Sequence, residues 1–254
     1  MAPLLYARFF QCNCRVAGAC LRKISLVIFD CDGVLVDSEY LSAQVLVETF
    51  AEIGVNIDLP FVFTHFLGHS FSSVAAKFAK LHGTGVTESF ESDYRASLLR
   101  RFSTELKPMP GVIAVLDSLA VPYCVATGSS PLRVSRSLEV TDLAKKVNGN
   151  VFTAAMVTHG KPAPDIFLHA AAMTGVPPDQ YLAVEDSASG IEAASAAGMI
   201  VWQFAGGYHF QHGYNHQGTE HLVDRVFDRM DRFFDAAPEL RLTRGKLPPS
   251  WCET

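Results

Sequence analysis

Apolar runs that stop abruptly at polar clusters recur along this chain. Ile24-Ser25-Leu26-Val27-Ile28 ends at Phe29-Asp30-Cys31-Asp32-Gly33, and the run at 121–126 ends at Thr127-Gly128-Ser129-Ser130. Tyr181-Leu182-Ala183-Val184 ends at Glu185-Asp186-Ser187, while Gly198-Met199-Ile200-Val201-Trp202 leads into Ala205-Gly206-Gly207. Between them, 111–119, 131–138, 164–174 and 188–197 read as helices. Short runs without polar alternation are strands buried on both faces. Alternating with helices, they predict an α/β fold: a Rossmann-like parallel sheet core with helices on both faces. Ligands of such sheets bind beyond the carboxyl ends of the strands, where the polar clusters fall.

Residues 39–107 break this rhythm. The segments 40–53, 72–82 and 87–106 carry helix-spaced apolar positions and no strong strand, and 89–101 is charged like a solvated helix face. This predicts an inserted helical cap domain at 39–107. The core domain then comprises 24–38 and 108–254, re-entered near Lys107-Pro108-Met109-Pro110-Gly111. Residues 1–23 hold Arg8, Arg15, Arg22 and Lys23 but no acid, and are expected to form a flexible N-terminal extension. The tail beyond Ala236, with Pro238, Pro248 and Pro249, is expected to wrap the surface or lie loose.

The 254 residues, 49% hydrophobic and 19% charged, suffice for a large core. A net charge of −5 gives no basic footprint, so nucleic acid is not an expected partner. It also opposes phosphorylated ligands, so a phosphate site must supply positive charge locally. No segment approaches the roughly 18 apolar residues that span a bilayer, so no membrane partner is expected. Six scattered cysteines form no disulfide framework and point to a reducing, cytoplasmic setting. Cys12, Cys14 and Cys20 lack a fourth metal ligand. His209, His212, His216 and His221 have metal-compatible spacing, but no acid joins them before Glu220, and they read as a solvated loop.

The first polar cluster carries the sharpest chemistry. Side chains alternate along a strand, so Asp30 and Asp32 share a side. Carboxylates at a buried strand end require pairing or a cation. Glu185 and Asp186, adjacent in sequence, would repel each other without a cation, and hard Mg²⁺ prefers such oxygen donors.

Phe29-Asp30-Cys31-Asp32-Gly33, Ala126-Thr127-Gly128-Ser129-Ser130, Gly160-Lys161-Pro162-Ala163-Pro164-Asp165 and Val184-Glu185-Asp186-Ser187 stand in one order, followed by Gly190-Ile191 and Ala196-Ala197-Gly198-Met199. In these pieces the sequence resembles the haloacid dehalogenase superfamily, specifically its phosphatase and phosphosugar mutase branch. The resemblance spans residues 24 to about 205. It implies Asp30 as a nucleophile that forms an aspartyl-phosphate and Asp32 as general acid and base. It implies phosphoryl contacts from Thr127, Gly128 and Ser129, with Lys161 neutralising Asp30 and the phosphoryl oxygens. Mg²⁺ would be held by the Asp30 side chain, the Asp32 carbonyl and Asp186, with Glu185 direct or through water.

The cap loop 65–71 would select the leaving group, with His69 and Ser70 as candidate contacts. Phe71 stands where the resemblance places a mutase arginine, and Ser42 where it places a cap histidine. Both departures favour hydrolysis over mutase chemistry, although Lys77 or Lys80 could replace the clamp. The expectation is a Mg²⁺-dependent phosphatase of a small-molecule phosphomonoester (a sugar, polyol or sugar-acid phosphate), acting as a monomer or weak homodimer. A phosphosugar mutase of the β-phosphoglucomutase type is the alternative, and a non-catalytic binding module a third.

Overall fold

A computed structural model describes residues 23–83, 85–215 and 218–243; Cys12, Cys14, Cys20 and His216 lie outside the described residues, as do 1–22 and 244–254. Six strands form one parallel sheet: β1 (Leu26–Phe29), β2 (Tyr123–Thr127), β3 (Val151–Thr153), β4 (Tyr181–Glu185), β5 (Ile200–Phe204) and β6 (Arg225–Phe227), in the order β3-β2-β1-β4-β5-β6. Helices α5 (Val112–Ser118), α6 (Pro131–Val140), α7 (Ala144–Val147), α8 (Asp165–Thr174), α9 (Ala188–Ala196), α10 (Tyr208–Gln211) and α11 (Phe233–Ala236) belong to the sheet's part of the chain.

The period of two divides the strand residues between two cores. Val27 and Phe29 pack with Val125 and Val184 under Val115 of α5 and Val134 of α6. Leu26 and Ile28 face the other way, with Ala183 and Val201 under Phe167 of α8 and Ile191 of α9. Both faces are therefore dry, which explains the unbroken apolar runs. Two edge strands escape sequence reading. β3 and β6 have three residues each, and Val226 of β6 is exposed, so neither leaves an apolar run long enough to detect.

Residues 39–105 form a helical block with its own core. Helices α1 (Glu39–Glu52), α2 (Leu59–His65), α3 (Phe71–His82) and α4 (Glu88–Glu105) enclose Leu46, Phe50, Val62, Phe63, Phe78 and Phe90. The short α2 was not expected from periodicity, yet its start is written in the sequence. Asp58 accepts a hydrogen bond from the Phe61 amide at 2.9 Å and Pro60 stands in the first turn. The two connections to the sheet run side by side. Val36 bridges Pro108, and the Asp37 amide donates to the Lys107 carbonyl at 3.1 Å.

The tail is fastened as far as it is described. Leu240 is buried, the Ala120 amide donates to the Leu240 carbonyl at 2.7 Å, and the Leu242 amide to that of Ser118 at 2.7 Å. Among the described residues no helix is long and apolar enough to cross a membrane.

Phe50 is fully buried between the rings of Phe78 and Phe90, with centroids 4.6 Å away in each case. Phe50→Ala is expected to cost about 3–5 kcal/mol, read from urea unfolding monitored by circular dichroism.

Candidate active site

Strand order brings distant residues to one edge. β1 lies between β2 and β4, with Phe29 in register with Val125 and Val184. The next residues, Asp30 and Glu185, therefore emerge side by side, with Thr127 two positions beyond Val125 at the end of β2, and the Asp30 amide donates to the Val184 carbonyl at 2.9 Å. Lys161 arrives from the loop before α8. Its Nζ donates to Asp30 Oδ1 at 2.6 Å, Glu185 Oε1 at 2.5 Å and the Ala126 carbonyl at 3.0 Å.

Asp30, Glu185 and Asp186 each offer a carboxylate oxygen within 4.8 Å of the others, and all three are buried. Gly33 permits this closeness: a Cβ there would sit 1.8 Å from Asp186 Oδ2, and its φ of +78° suits glycine. Among the described residues, the ammonium that stands against these carboxylates is that of Lys161. Burial raises the Asp30 carboxyl to about 8 despite the lowering pull of Lys161, and the acids of Glu185 and Asp186 are raised as well, again chiefly by burial. An all-oxygen donor set with excess negative charge and no sulfur or imidazole fits a hard divalent cation such as Mg²⁺.

Asp32 is held apart by a different set of partners. Arg133 Nη2 donates to its Oδ1 at 2.7 Å, Ser38 Oγ to Oδ1 at 2.5 Å and Ser129 Oγ to Oδ2 at 2.5 Å. Burial would raise this carboxyl, but the guanidinium and the hydroxyl donors outweigh it and the net shift is downward. Ser129 thus directs its hydroxyl at Asp32. Thr127 is buried and its Oγ1 accepts from the Ser129 amide at 3.1 Å, fixing the turn. A Cβ on Gly128 would meet nothing within 4 Å, so that turn opens onto free space. Ser130 caps α6 and Pro131 opens it, so the helix N-terminus faces the site, favourable for an anion.

Arg133, Glu39 and Ser38 went unread in the sequence. Arg133 is in the first turn of α6, where a cation opposes the helix dipole; that mismatch was the available signal. Its Nη2 also reaches Ser42 Oγ at 3.0 Å and lies 3.6 Å from Glu39 Oε1, both on α1. Burial raises the Glu39 carboxyl to about 8 although Arg133 pulls it down.

Above the edge lies a cavity of about 610 Å³ whose wall includes Asp30, Asp32, Arg133, Lys161, His69 and Ser70. Ser70 caps α3, and His69 Nε2 lies 2.6 Å from Lys77 Nζ. Lys77 also donates to the His65 carbonyl at 3.2 Å, and neither Lys77 nor Lys80 is among the lining residues. Phe71 and Arg95 do line it, the latter held by Glu91 at 2.5 Å. The histidine loop is not uniformly solvated as expected: His212 is exposed, but His209 is fully buried beside Asp186. No cluster of possible metal ligands among the described residues includes a histidine.

Residues 24–198 match the family model for haloacid dehalogenase-like hydrolases. The chain is 30% identical over 190 residues to the 6-phosphogluconate phosphatase of Escherichia coli (strain K12), covering 74% of this chain and 86% of that one. It is 31% identical over 182 residues to the phosphorylated carbohydrates phosphatase of Thermotoga maritima, covering 68% and 81%. Among solved structures, a HAD family hydrolase of Deinococcus radiodurans R1 with bound phosphate and sodium superposes with a TM-score of 0.70 at 28% identity, over 90% of this chain and all of that one. The chain belongs to the haloacid dehalogenase-like hydrolase family, and within it is a phosphoric monoester hydrolase.

Two consequences can be measured. Between an unfolded-state value near 3.9 and about 8 in the folded protein, native Asp30 keeps a proton that the unfolded chain has lost. Stability therefore falls as pH rises through that window. The melting temperature of chelator-treated protein is expected to drop from pH 5 to 8.5, and Mg²⁺ to flatten the slope. Arg133→Met strands the buried Asp32 carboxylate. It is expected to cost about 3–5 kcal/mol by urea unfolding.

Proposed function

We propose that the protein is a Mg²⁺-dependent phosphatase of small phosphorylated sugars, polyols or sugar acids, working through an aspartyl-phosphate on Asp30. The observation that carries this reading is Lys161 Nζ bridging Asp30 and Glu185 at 2.6 and 2.5 Å beside a buried acid cluster and beneath a cavity of metabolite size. The names of the relatives, both sugar-type phosphatases, support the substrate class. The buried, free Cys31 and Cys124 are compatible with a cytoplasmic setting.

Asp30, Asp186 and the Asp32 carbonyl would hold the ion, with Glu185 direct or through water. The bound cation supplies charge compensation for the phosphoryl oxygens and for the crowded carboxylates. Asp30 attacks phosphorus through the oxygen free of Lys161. Lys161 offsets charge on Asp30 and on the transferring group. The amides at 128–129 and the N-terminus of α6 orient the phosphoryl oxygens. Asp32 protonates the departing alkoxide and then, as carboxylate, takes a proton from the water that attacks the aspartyl-phosphate. Arg133 favours the carboxylate form needed in the second half. For the first half, a phosphomonoester bound as the monoanion can bring the proton, since its second pKa is about 6.

Hydrolysis is favoured over mutase chemistry by the cap wall. Phe71 is apolar, Ser42 is engaged with Arg133, and Arg95 is matched by Glu91, leaving no free basic clamp among the described lining residues for a second phosphate.

Phosphate release from p-nitrophenyl phosphate and a panel of sugar, polyol and sugar-acid phosphates is expected to require Mg²⁺ and stop in EDTA. Activity persisting in the chelated apoprotein contradicts the metal assignment. Asp32→Asn is expected to lower turnover by about 10²–10⁴-fold while Mg²⁺ affinity changes little. Rapid conversion of β-glucose 1-phosphate to glucose 6-phosphate in the presence of glucose 1,6-bisphosphate, with little free phosphate, would mark a mutase instead.

A further inference from the structure

His209 lies in α10, in the loop after β5, and is not among the residues that line the cavity. Its ring is fully buried, and neither Nδ1 nor Nε2 makes a hydrogen bond. Leaving two polar nitrogens dry in this way is unfavourable, and a purely packing role would be served better by an apolar side chain. The surroundings are nevertheless shaped for this ring. Phe210 and Tyr214 flank it, with centroids 4.4 and 5.0 Å away. Gly207 leaves it space, because a Cβ at 207 would lie 2.5 Å from the ring's Cε1.

The ring faces the acid cluster. Nε2 is 3.3 Å from Asp186 Oδ2, within reach of a hydrogen bond but out of line for one. Burial favours the neutral imidazole, an N–H donor at one nitrogen. Asp186 has two oxygens and can offer one to a cation while Oδ2 accepts from a donor behind it. Carboxylates that bind metal are commonly held by such a donor.

We infer that His209 is a positioning residue for the divalent cation, donating from Nε2 to Asp186 Oδ2 and so fixing the orientation of that carboxylate. The inference rests on the proposed Mg²⁺ site. It accounts for the unpartnered Nε2: the ring is placed for the metal-loaded arrangement rather than for the stability of the metal-free fold. It also separates His209 from the neighbouring histidine His212, whose exposed ring contacts Tyr40 and Tyr208.

The test is isothermal titration of Mg²⁺ into the chelator-treated full chain, with melting temperatures recorded alongside. His209→Leu is expected to weaken Mg²⁺ binding by about 10–100-fold without lowering the melting temperature of the metal-free protein. His209→Gln, whose amide can donate from a similar distance, is expected to recover most of the affinity. His209→Met takes the place of the leucine variant if that one does not fold. Affinity within about twofold of the parent in the apolar variant, or a glutamine variant as weak as the apolar one, overturns the assignment while leaving the Mg²⁺ site standing. A parent chain that binds no divalent cation removes both.

Discussion

Three carboxylates crowded at the mouth of a dry parallel sheet are the constraint from which the site follows. Asp30, Glu185 and Asp186 come within 4.8 Å of one another because β1 and β4 are neighbours, and water does not dissipate their repulsion. Lys161 offsets one charge by touching two of the three acids. What remains is an excess of buried oxygen donors that suits a hard dication. A fold that only needed stability would replace such a cluster with apolar residues, since buried charges seldom stabilise a fold on balance.

The second charge system, Asp32 with Arg133, joins the sheet to the helical block. A core helix supplies the guanidinium, which touches the carboxylate proposed for acid–base work and the Ser42 hydroxyl of α1. The Arg133 guanidinium thereby links the position of α1 to that of the Asp32 carboxylate. Phe102 lies under the same guanidinium, 5.5 Å from ring centroid to Cζ, so the arginine is held by packing as well as by charge.

Much of this is legible in the amino-acid order alone. The central strands are visible because burial on both faces leaves unbroken apolar runs, and the acids stand out because charge directly follows those runs. The family resemblance gathers Asp30, Thr127, Lys161 and Glu185-Asp186 into one candidate set, and the parallel sheet places them at one edge. Edge strands β3 and β6 are lost because three residues carry no period. Glu39 is lost because its partner comes from another element, and Arg133 because its one local sign, a cation in the first turn of α6, does not say which acid it meets. His209 is misread for a different reason: glycine-rich, histidine-rich composition suggests a wet loop, whereas Gly207 is there to admit a buried ring.

The paired connections at Val36–Pro108 and Asp37–Lys107 have an evolutionary corollary. The helical block enters and leaves through adjacent peptide groups, so the sheet closes beneath it as though the excursion had not occurred. Lengthening, shortening or exchanging that excursion alters the roof over the cavity without disturbing the order of the strands. Variation in the cavity roof can thus accumulate in one contiguous stretch of the gene while Asp30, Lys161, Glu185 and Asp186, encoded elsewhere, stay constant.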